Sequence, residues 1–288
     1  MNEAVDQIVV EPNGPLEGTV RAGGAKNSAL KLMAACMLAE GCSVLSNVPR
    51  ISDVDTMAKV LRAMGARVER LDNGDVTVTT PPADGLVPEG PYELFERMRA
   101  SVVVLGLSLA RCGAVRVPLP GGDDFGARPI DFHINGLTAM GARFELAHGD
   151  VRGTVPGGRL VGTRVVLEYP SHTATDNLLM AAVLAKGTTV IENAAKEPEV
   201  ADLAAMLRGM GAVVRGAGTS RIEIEGVDEL QPARHSVVSD RVVAATYVAA
   251  VGMAGGEVTI ADARADHMEN LLRKVQQMGM STEMTPQG

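Results

Sequence analysis

The hydrophobic positions of the chain predict several helices that are apolar on almost every face. Three such runs are Leu30 to Leu38, Val102 to Leu109 and Leu178 to Leu184. A helix that is hydrophobic all round has no polar side to turn toward water, so it belongs in a core. We therefore predict that all three helices are buried on nearly every side.

These helices belong to a pattern that occurs four times, with a period of roughly 70 residues. Each copy has an Ala/Leu-rich helix, a glycine, a short strand, a polar loop, a second helix ending in Met-Gly, and another strand. A left-handed residue at the helix C-terminus explains each glycine. The first glycine of each copy is Gly41, Gly113, Gly187 or Gly256, and the second is Gly65, Gly141, Gly211 or Gly279.

The repeat indicates the architecture of the chain but carries no information about its chemistry. Copies that contain two helices and several strands favour compact βαβ-type units around a pseudo-symmetry axis over a linear array. The predicted fold class is therefore α/β. A chain of 288 residues is long enough for one large domain or two.

Composition excludes several classes of function. Only 2% of residues are aromatic, so the core is expected to be aliphatic, and the net charge of −8 disfavours a general nucleic-acid binder. No secretory signal is seen, and the longest apolar stretch, Ser101 to Ala110, is too short to span a bilayer. Cys36, Cys42 and Cys112 lack metal-ligand spacing, which indicates buried free thiols in a reducing cytoplasm. We expect no membrane partner, metal or cofactor.

A glycine-rich loop from Leu119 to His133 is the first candidate for chemistry. Gly121 and Gly122 permit unusual turn angles, and two carboxylates, Asp123 and Asp124, follow them directly. Its other ionisable residues are Arg128, Asp131 and His133. A loop with this many ionisable groups is typical of ligand binding. The alternative is a solvated turn whose Asp residues cap the next helix.

Cations also occupy matching helix starts in three of the four copies. Lys26, Arg99 and Arg241 lie at these positions, where free amide groups and the helix dipole favour an anion. We expect the three cations to converge on one anionic ligand. The alternative at the first helix is a simple turn with Asn27 or Ser28 as the N-cap and a solvated Lys26. The spacing GxxxxGK[ST] of a phosphate-binding P-loop is absent.

Five stretches, taken in order, resemble a known family. The stretches are GGAKNSALKLMAA, MRAS, LPGGxxxGARPxDxH, NAAKEPEVAD and SDRVVAAT. They are similar to the UDP-N-acetylglucosamine enolpyruvyl (1-carboxyvinyl) transferases, within the EPSP-synthase-like enolpyruvyl transferases. The resemblance covers nearly the whole chain.

The resemblance implies a fold of two inside-out α/β domains, each an α/β barrel of three repeated βαβαββ-type units. By this comparison residues 22–235 form one complete three-unit domain, and residues 1–21 with 236–288 form a partial second domain. Two units of the family's six are then missing, together with its later Phe-Pro-x-Asp motif and further arginines. We expect either a segment of a longer enzyme or a degenerate paralogue, able to self-associate through its incomplete domain.

The implied reaction is the first committed step of peptidoglycan synthesis, in the cytoplasm. Phosphoenolpyruvate is protonated at its methylene carbon, the 3-hydroxyl of the sugar of UDP-N-acetylglucosamine attacks, and phosphate leaves. The reaction needs a general acid, a base and fixed cations for phosphate and carboxylate, without a metal or redox cofactor. Both substrates are small molecules.

The resemblance also implies roles for individual residues. Asp123, Lys26 and Arg128 are the catalytic candidates. The substrate-binding candidates are Asn27, Arg99, Pro129, Ile130, Asp131, Phe132, His133, Ser171, Asp240 and Arg241. Within these sets Lys26, Arg99 and Arg128 hold anionic groups, and Asn27 contacts the sugar. The backbone of residues 128–133 lines the uridine-nucleotide pocket, and Ser171 faces the diphosphate. Glu197 and the Asp240-Arg241 pair stabilise the domain junction.

Two positions depart from the family pattern. The usual cysteine of the glycine-rich loop is Asp123 here, which can donate a proton when burial raises its pKa. It cannot form the thioether by which fosfomycin inactivates the cysteine enzymes. The family's Ser-Val-Gly-Ala-Thr reads Ser171-His172-Thr173-Ala174-Thr175. This change leaves open enolpyruvyl transfer to another uridine nucleotide in secondary metabolism, or a non-catalytic nucleotide-binding paralogue.

Overall fold

The chain forms two compact units in the computed structural model. The larger unit is Gly24–Val238, and the smaller unit combines Met1–Gly23 with Ser239–Gly288. The sequence-based boundaries were 22 and 235, a few residues from these. The structure describes residues 9–11, 14–95, 98, 102–119, 129–147 and 149–285.

The described part of the chain contains helices and strands interspersed along its length. The helices are α1 (Lys26–Ala35), α2 (Ser52–Ala63), α3 (Tyr92–Phe95), α4 (Val104–Cys112), α5 (Asp131–Ala139), α6 (His172–Ala182), α7 (Pro198–Gly209), α8 (Arg241–Ala254) and α9 (Glu269–Gln277). The strands are β1 (Leu16–Arg21), β2 (Gly41–Ser46), β3 (Arg67–Arg70), β4 (Val76–Thr80), β5 (Ala114–Pro118), β6 (Arg143–Ala147), β7 (Asp150–Thr154), β8 (Arg164–Val166), β9 (Thr188–Glu192), β10 (Val213–Arg215), β11 (Arg221–Glu225), β12 (Arg234–Ser236) and β13 (Gly256–Ala261).

Three helices form the centre of the larger unit, as their apolar sequences predict. Every residue from Leu30 to Leu38, from Val102 to Leu109 and from Leu178 to Leu184 is buried, which confirms the prediction. Helix α4 packs against α6, and α1 packs against α2 and α7. The first run is not one regular helix, because α1 ends at Ala35 and a 3-10 turn covers Cys36–Leu38.

Three sheets flank these helices, and two of them share one topology. The first has the order β12-β2-β4-β3 and the third β8-β9-β11-β10. In each, the first pair is parallel and the next two pairs are antiparallel. The second sheet is β5-β7-β6. A parallel bridge joins Glu89 to Arg116 of β5, at the position that the parallel strand takes in the other two sheets.

The Met-Gly pairs end the second helix of every copy in the same way. After α2, the Gly65 N–H donates to the Arg62 carbonyl and the Ala66 N–H donates to the Leu61 carbonyl. The same two hydrogen bonds recur at Gly141, Gly211 and Gly279, and all four glycines have φ near +100°. This pattern of hydrogen bonds closes a helix around a left-handed residue, as predicted.

The first glycine of each copy plays a different role from the predicted one in most copies. Gly113 does cap α4 in the left-handed conformation. Gly41 and Gly256 instead begin β2 and β13, and Gly187 lies beyond the end of α6 at Ala182. At Gly256 a Cβ would lie 2.0 Å from the Leu16 carbonyl oxygen. The expected positive φ is present at all four glycines, between +67° and +108°, but at Gly256 the close approach of the neighbouring strand, and not helix capping, accompanies it.

The cysteines are free but not uniformly buried. Cys36 is buried, and its burial raises the pKa of the thiol to about 12. Cys112 is half-buried, and Cys42 is exposed because its side chain alternates outward along β2. The prediction of buried thiols is therefore wrong for Cys42. None of the helices in the described ranges is long and apolar enough to cross a membrane.

The smaller unit is built on one pair of parallel strands. β1 and β13 pair from Leu16 opposite Gly256 to Arg21 opposite Ala261. Helix α8 packs against β13. The buried apolar residues described in this unit are Ala22, Ala244, Val248, Met268 and Val275.

Candidate active site

The start of α1 presents two of the predicted site residues to solvent. Gly24 precedes it because a Cβ there would lie 1.7 Å from the Asn47 carbonyl oxygen. Lys26 and Asn27 are exposed, and Lys26 Nζ lies 3.2 Å from a carboxylate oxygen of Asp53. Lys26 thus lies at the predicted helix N-terminus, where the backbone dipole adds to its positive charge.

Neither Asn27 nor Ser28 is the N-cap of α1. The N-cap is Ala25, which makes no side-chain capping hydrogen bond. The Ser28 hydroxyl instead donates to Asp202 Oδ2 at 2.5 Å. The capping alternative considered for this turn is therefore wrong.

The first turn of α5 carries five of the predicted nucleotide-pocket residues, with different burial. Pro129 and Asp131 are exposed, Phe132 is half-buried, and Ile130 and His133 are buried. Ile130 is the N-cap and makes no side-chain capping bond. An acidic Asp131 in the first turn complements the helix dipole.

His133 is held in one tautomer by α6. The Gly106 N–H donates to one side-chain amide atom of Asn177 at 2.6 Å, so that atom is the oxygen, Oδ1. The other amide atom of Asn177 is therefore the nitrogen, Nδ2. That Nδ2 donates to the Val102 carbonyl and to His133 Nδ1, each at 2.8 Å. With Nδ1 accepting, His133 carries its proton on Nε2, which lies 3.3 Å from Thr173 Oγ1. The N-terminal turns of α5 and α6 are therefore connected by side chains.

The first turns of α6 hold a buried ion pair. Ser171 is the N-cap, and its hydroxyl accepts from the Ala174 N–H. Lys31 Nζ from α1 lies 2.7 Å from Asp176 Oδ2 and 2.7 Å from His172 Nε2. Both members of the Lys31–Asp176 pair are almost fully buried. Separating a buried pair of this kind is costly, because it leaves an uncompensated charge.

His172 is kept neutral by this arrangement. An ammonium group only donates, so His172 Nε2 accepts from Lys31 and the imidazole proton lies on Nδ1. Burial lowers the pKa of His172, and the Lys31 charge lowers it further, against the opposing effect of Asp176. His172 and Thr173, which stand where the family has Val-Gly, therefore both contact buried polar side chains.

The structure does not bring all predicted residues together. Asp123, Arg128 and Arg99 lie outside the described residues. Asp240 and Arg241 belong to the smaller unit, where Asp240 caps α8 by accepting from the Val242 and Val243 N–H groups at 2.8 and 3.1 Å. The predicted convergence of three helix-start cations therefore remains a prediction. Glu197 is the N-cap of α7, with Pro198 in the first helical position.

Several polar residues of this region were missed by the sequence analysis. Lys31, Asp176, Asn177 and Asp202 are all buried or nearly so, and each contacts an element distant in sequence. The available signal was a polar residue inside an otherwise apolar helix. Within the described ranges, no group of three or more His, Cys, Asp or Glu side chains is placed to hold a metal ion.

Comparisons with known proteins support one family. Residues 10–288 match the model of the EPSP synthase (3-phosphoshikimate 1-carboxyvinyltransferase) family. The UDP-N-acetylglucosamine 1-carboxyvinyltransferase of Anaeromyxobacter dehalogenans is 48% identical over 275 residues, which cover 96% of this chain and 65% of the relative. A UDP-N-acetylglucosamine 1-carboxyvinyltransferase of Halalkalibacterium halodurans is 46% identical over 279 residues, covering 96% of this chain and 62% of the relative. The chain thus spans about two thirds of the length of these relatives.

Solved structures share the fold at lower identity. The enolpyruvyl transferase NikO from Streptomyces tendae has a TM-score of 0.79 at 22% identity, covering 96% of this chain and 65% of that one. EPSP synthase from Acinetobacter baumannii has a TM-score of 0.70 at 22% identity, covering 92% and 60% of the two chains. The chain therefore has a mixed α/β fold of the enolpyruvyl transferase kind.

Proposed function

The chain belongs to the EPSP synthase family, and on that premise we propose that it transfers the enolpyruvyl group of phosphoenolpyruvate to the 3-hydroxyl of the sugar of UDP-N-acetylglucosamine. Phosphate is the second product, and the reaction is the first committed step of peptidoglycan synthesis. One observation carries the choice of acceptor: the relatives that match 96% of the chain at 46–48% identity are named UDP-N-acetylglucosamine 1-carboxyvinyltransferase. Identity to the solved structures is 22%, which supports the fold alone.

The proposed reaction proceeds by addition and elimination. A general acid protonates the methylene carbon of phosphoenolpyruvate, and the adjacent carbon becomes oxocarbenium-like. The sugar hydroxyl loses its proton to a base and forms the new C–O bond at that carbon. Loss of a proton from the new methyl group and cleavage of the C–O bond to phosphate then restore the double bond. Positive charges fixed around the phosphate and carboxylate stabilise the charged intermediates.

We assign the general acid to Asp123 and the anion-holding charges to Lys26, Arg99 and Arg128. The position of Lys26 at the exposed start of α1 supports its share of this proposal, because a helix N-terminus and a lysine both favour a phosphate or carboxylate. The roles of Asp123, Arg99 and Arg128 rest on the family resemblance of the glycine-rich loop and of the MRAS stretch. An aspartate in the acid position also leads us to propose fosfomycin insensitivity.

The nucleotide is proposed to bind along the N-terminal turns of α1, α5 and α6. Asn27 contacts the sugar, Pro129 to His133 line the uridine pocket, and Ser171 faces the diphosphate. Asp240 and Arg241 are also proposed to contact substrate. The side-chain connection between His133 and Thr173 supports a shared site for the α5 and α6 turns.

The larger unit is proposed to be a three-unit domain of the inside-out type, and the smaller unit to be part of a second such domain. The matching orders β12-β2-β4-β3 and β8-β9-β11-β10 support the repetition, as does the parallel bridge beside β5. The buried positions of α1, α4 and α6 support the inside-out arrangement.

A second candidate acceptor is another uridine nucleotide of secondary metabolism. His172 and Thr173 favour it, because they replace a valine and a glycine at the proposed diphosphate site and contact Lys31 and His133. We also propose a cytoplasmic location, which the free thiols of Cys36, Cys42 and Cys112 support.

Phosphate release from phosphoenolpyruvate tests the proposal. We expect release that depends on UDP-N-acetylglucosamine, and no release with 3-phosphoshikimate. Asp123→Asn is expected to lower turnover by roughly two to four orders of magnitude, the usual contribution of a general acid. Asp123→Cys is expected to retain activity and gain fosfomycin sensitivity. Full activity of Asp123→Asn with loss in the neighbouring control Asp124→Asn contradicts the assignment, and release with 3-phosphoshikimate contradicts the acceptor.

A further inference from the structure

Asp202 on α7 interacts with three groups on two segments distant in sequence, α1 and residues 235–238, and the family resemblance gives it no role. It ends the NAAKEPEVAD stretch. Its Oδ2 accepts from the Ser28 hydroxyl at 2.5 Å and from the Val238 N–H at 3.1 Å, and its Oδ1 lies 2.7 Å from His235 Nε2. Because a carboxylate only accepts, His235 carries a proton on Nε2. The Asp202 side chain is 9% exposed.

Two of these hydrogen bonds lead to the first turn of α1. Ser28 is the third residue of that helix, so its bond to Asp202 is direct. The Val238 carbonyl accepts from the Ala25 N–H at 2.7 Å, and Ala25 is the N-cap of α1. Asp202 is therefore linked to the turn twice, directly through Ser28 and indirectly through the backbone of Val238.

This support matters because α1 lacks its own side-chain cap. A helix without a capping side chain leaves its first N–H groups without that partner, and its first turn frays more readily. The buried carboxylate beside Ser28 also supplies the negative charge that a helix N-terminus favours. Asp202 thus restrains the first turn of α1 from another helix, through the Ser28 hydroxyl rather than through a backbone N–H group of α1.

The turn that Asp202 fixes carries Lys26 and Asn27. Both side chains point outward from α1 and are exposed, while Ser28 beside them is buried. We propose that Asp202 is a positioning residue, which sets the direction in which Lys26 and Asn27 meet an anionic substrate and its sugar. The identity of the substrates in this proposal rests on the proposed function. The restraint of the turn by Asp202 is independent of it.

Amide hydrogen exchange in the 288-residue chain tests the restraint without any substrate. Asp202→Asn keeps the shape but removes the negative charge, which weakens the hydrogen bonds that Oδ2 accepts from Ser28 and Val238. We expect about tenfold faster exchange in the peptide covering residues 24–30, and unchanged exchange in α6. Asp228→Asn is the matched control, because that carboxylate is 97% exposed and pairs with Arg159 at the surface. The control is expected to leave residues 24–30 unchanged.

Ser28→Ala provides a second variant, since it removes one hydroxyl and leaves the buried carboxylate in place. It is expected to loosen the same peptide. Unchanged exchange of residues 24–30 in both variants overturns the proposal. Faster exchange spread equally over α1, α4 and α6 also overturns it, because Asp202 then has a general structural role only.

Steady-state kinetics supply the second readout. In the active protein, Asp202→Asn is expected to lower kcat/KM by about 10- to 100-fold through misplacement of Lys26 and Asn27, with KM for both substrates raised. Local loosening with unchanged kcat and KM overturns the positioning role. A wild-type chain without turnover contradicts the proposed function instead, and the exchange result still decides whether Asp202 restrains the turn.

Discussion

Helix α8 of the smaller unit and the three central helices of the larger unit have similar sequences and opposite surroundings. In α6 every residue from Ala174 to Ala182 is buried, whereas in α8 only Ala244 and Val248 are buried. Val242 and Met253 of α8 are 55% and 91% exposed. The apolar pattern therefore specifies what a helix can bury, and the neighbouring elements determine how much of it is buried.

The largest expected effect of this difference is on core substitutions. Leu179 of α6 is fully buried, so Leu179→Ala is expected to lower the free energy of unfolding by about 2–5 kcal/mol through lost burial and a cavity. Met253→Ala in α8 is expected to change it by less than about 0.5 kcal/mol. Urea denaturation of both variants checks this. Equal losses contradict the contrast between the two helices.

Glycines within the helices give a second matched pair. At Gly106 of α4 a Cβ would lie 2.2 Å from the Asn177 carbonyl oxygen, which is backbone and cannot move alone. We expect Gly106→Ala to cost about 1–3 kcal/mol. At Gly252 of α8 the nearest atom is the flexible Met280 Sδ at 3.0 Å. Gly252→Ala is expected to change stability by less than about 1 kcal/mol, again measured in urea.

The pH dependence of stability reports on the buried polar cluster of the larger unit. Because burial lowers the pKa of His172 below its unfolded value of 6.5, the unfolded chain binds this proton more readily. Stability from this group is present above pH 6.5 and declines as the pH falls below it. We expect this loss of stability to be smaller than the loss caused by Leu179→Ala or by Gly106→Ala.

The difference between two melting curves isolates this contribution. The fall in Tm between pH 7.5 and pH 5.5 is expected to be smaller in His172→Gln than in the wild-type chain. A fall of the same size in both proteins contradicts a partly buried, neutral His172.

Substitutions at the exposed surface of α8 are expected to have the smallest effect on stability. They are expected to change the self-association of the chain measurably. The exposed apolar side chains of this helix lead us to expect self-association at high protein concentration. Val242→Glu combined with Met253→Glu is expected to leave the free energy of unfolding nearly unchanged and to reduce the weight-average mass in sedimentation equilibrium. A wild-type chain that is monomeric at all concentrations contradicts this expectation.

Sequence patterns were sufficient for the central helices and for the helix ends. All-apolar runs identified the buried helices α1, α4 and α6, and the Met-Gly pairs identified the ends of α2, α5, α7 and α9. These are local features, set by the chemistry of neighbouring residues. The exposure of Cys42 and of α8 was not foreseen in detail, because it depends on which elements pack beside them.

The polar part of the site could not be predicted in the same way. Lys31 contacts His172 across 141 positions of sequence, and Ser28 contacts Asp202 across 174. A serine or lysine inside an apolar helix indicates that a partner is needed, but nothing local identifies that partner. The family resemblance supplied Lys26 and Asn27, whereas the contacts of Asp202 required the fold.

Ligand-detected NMR on the purified 288-residue chain tests the proposed function most directly. Saturation transfer to UDP-N-acetylglucosamine and to phosphoenolpyruvate is expected, and Lys26→Ala is expected to weaken the phosphoenolpyruvate signal selectively. Binding of 3-phosphoshikimate without binding of UDP-N-acetylglucosamine, or binding of neither nucleotide sugar nor phosphoenolpyruvate, would contradict the assignment.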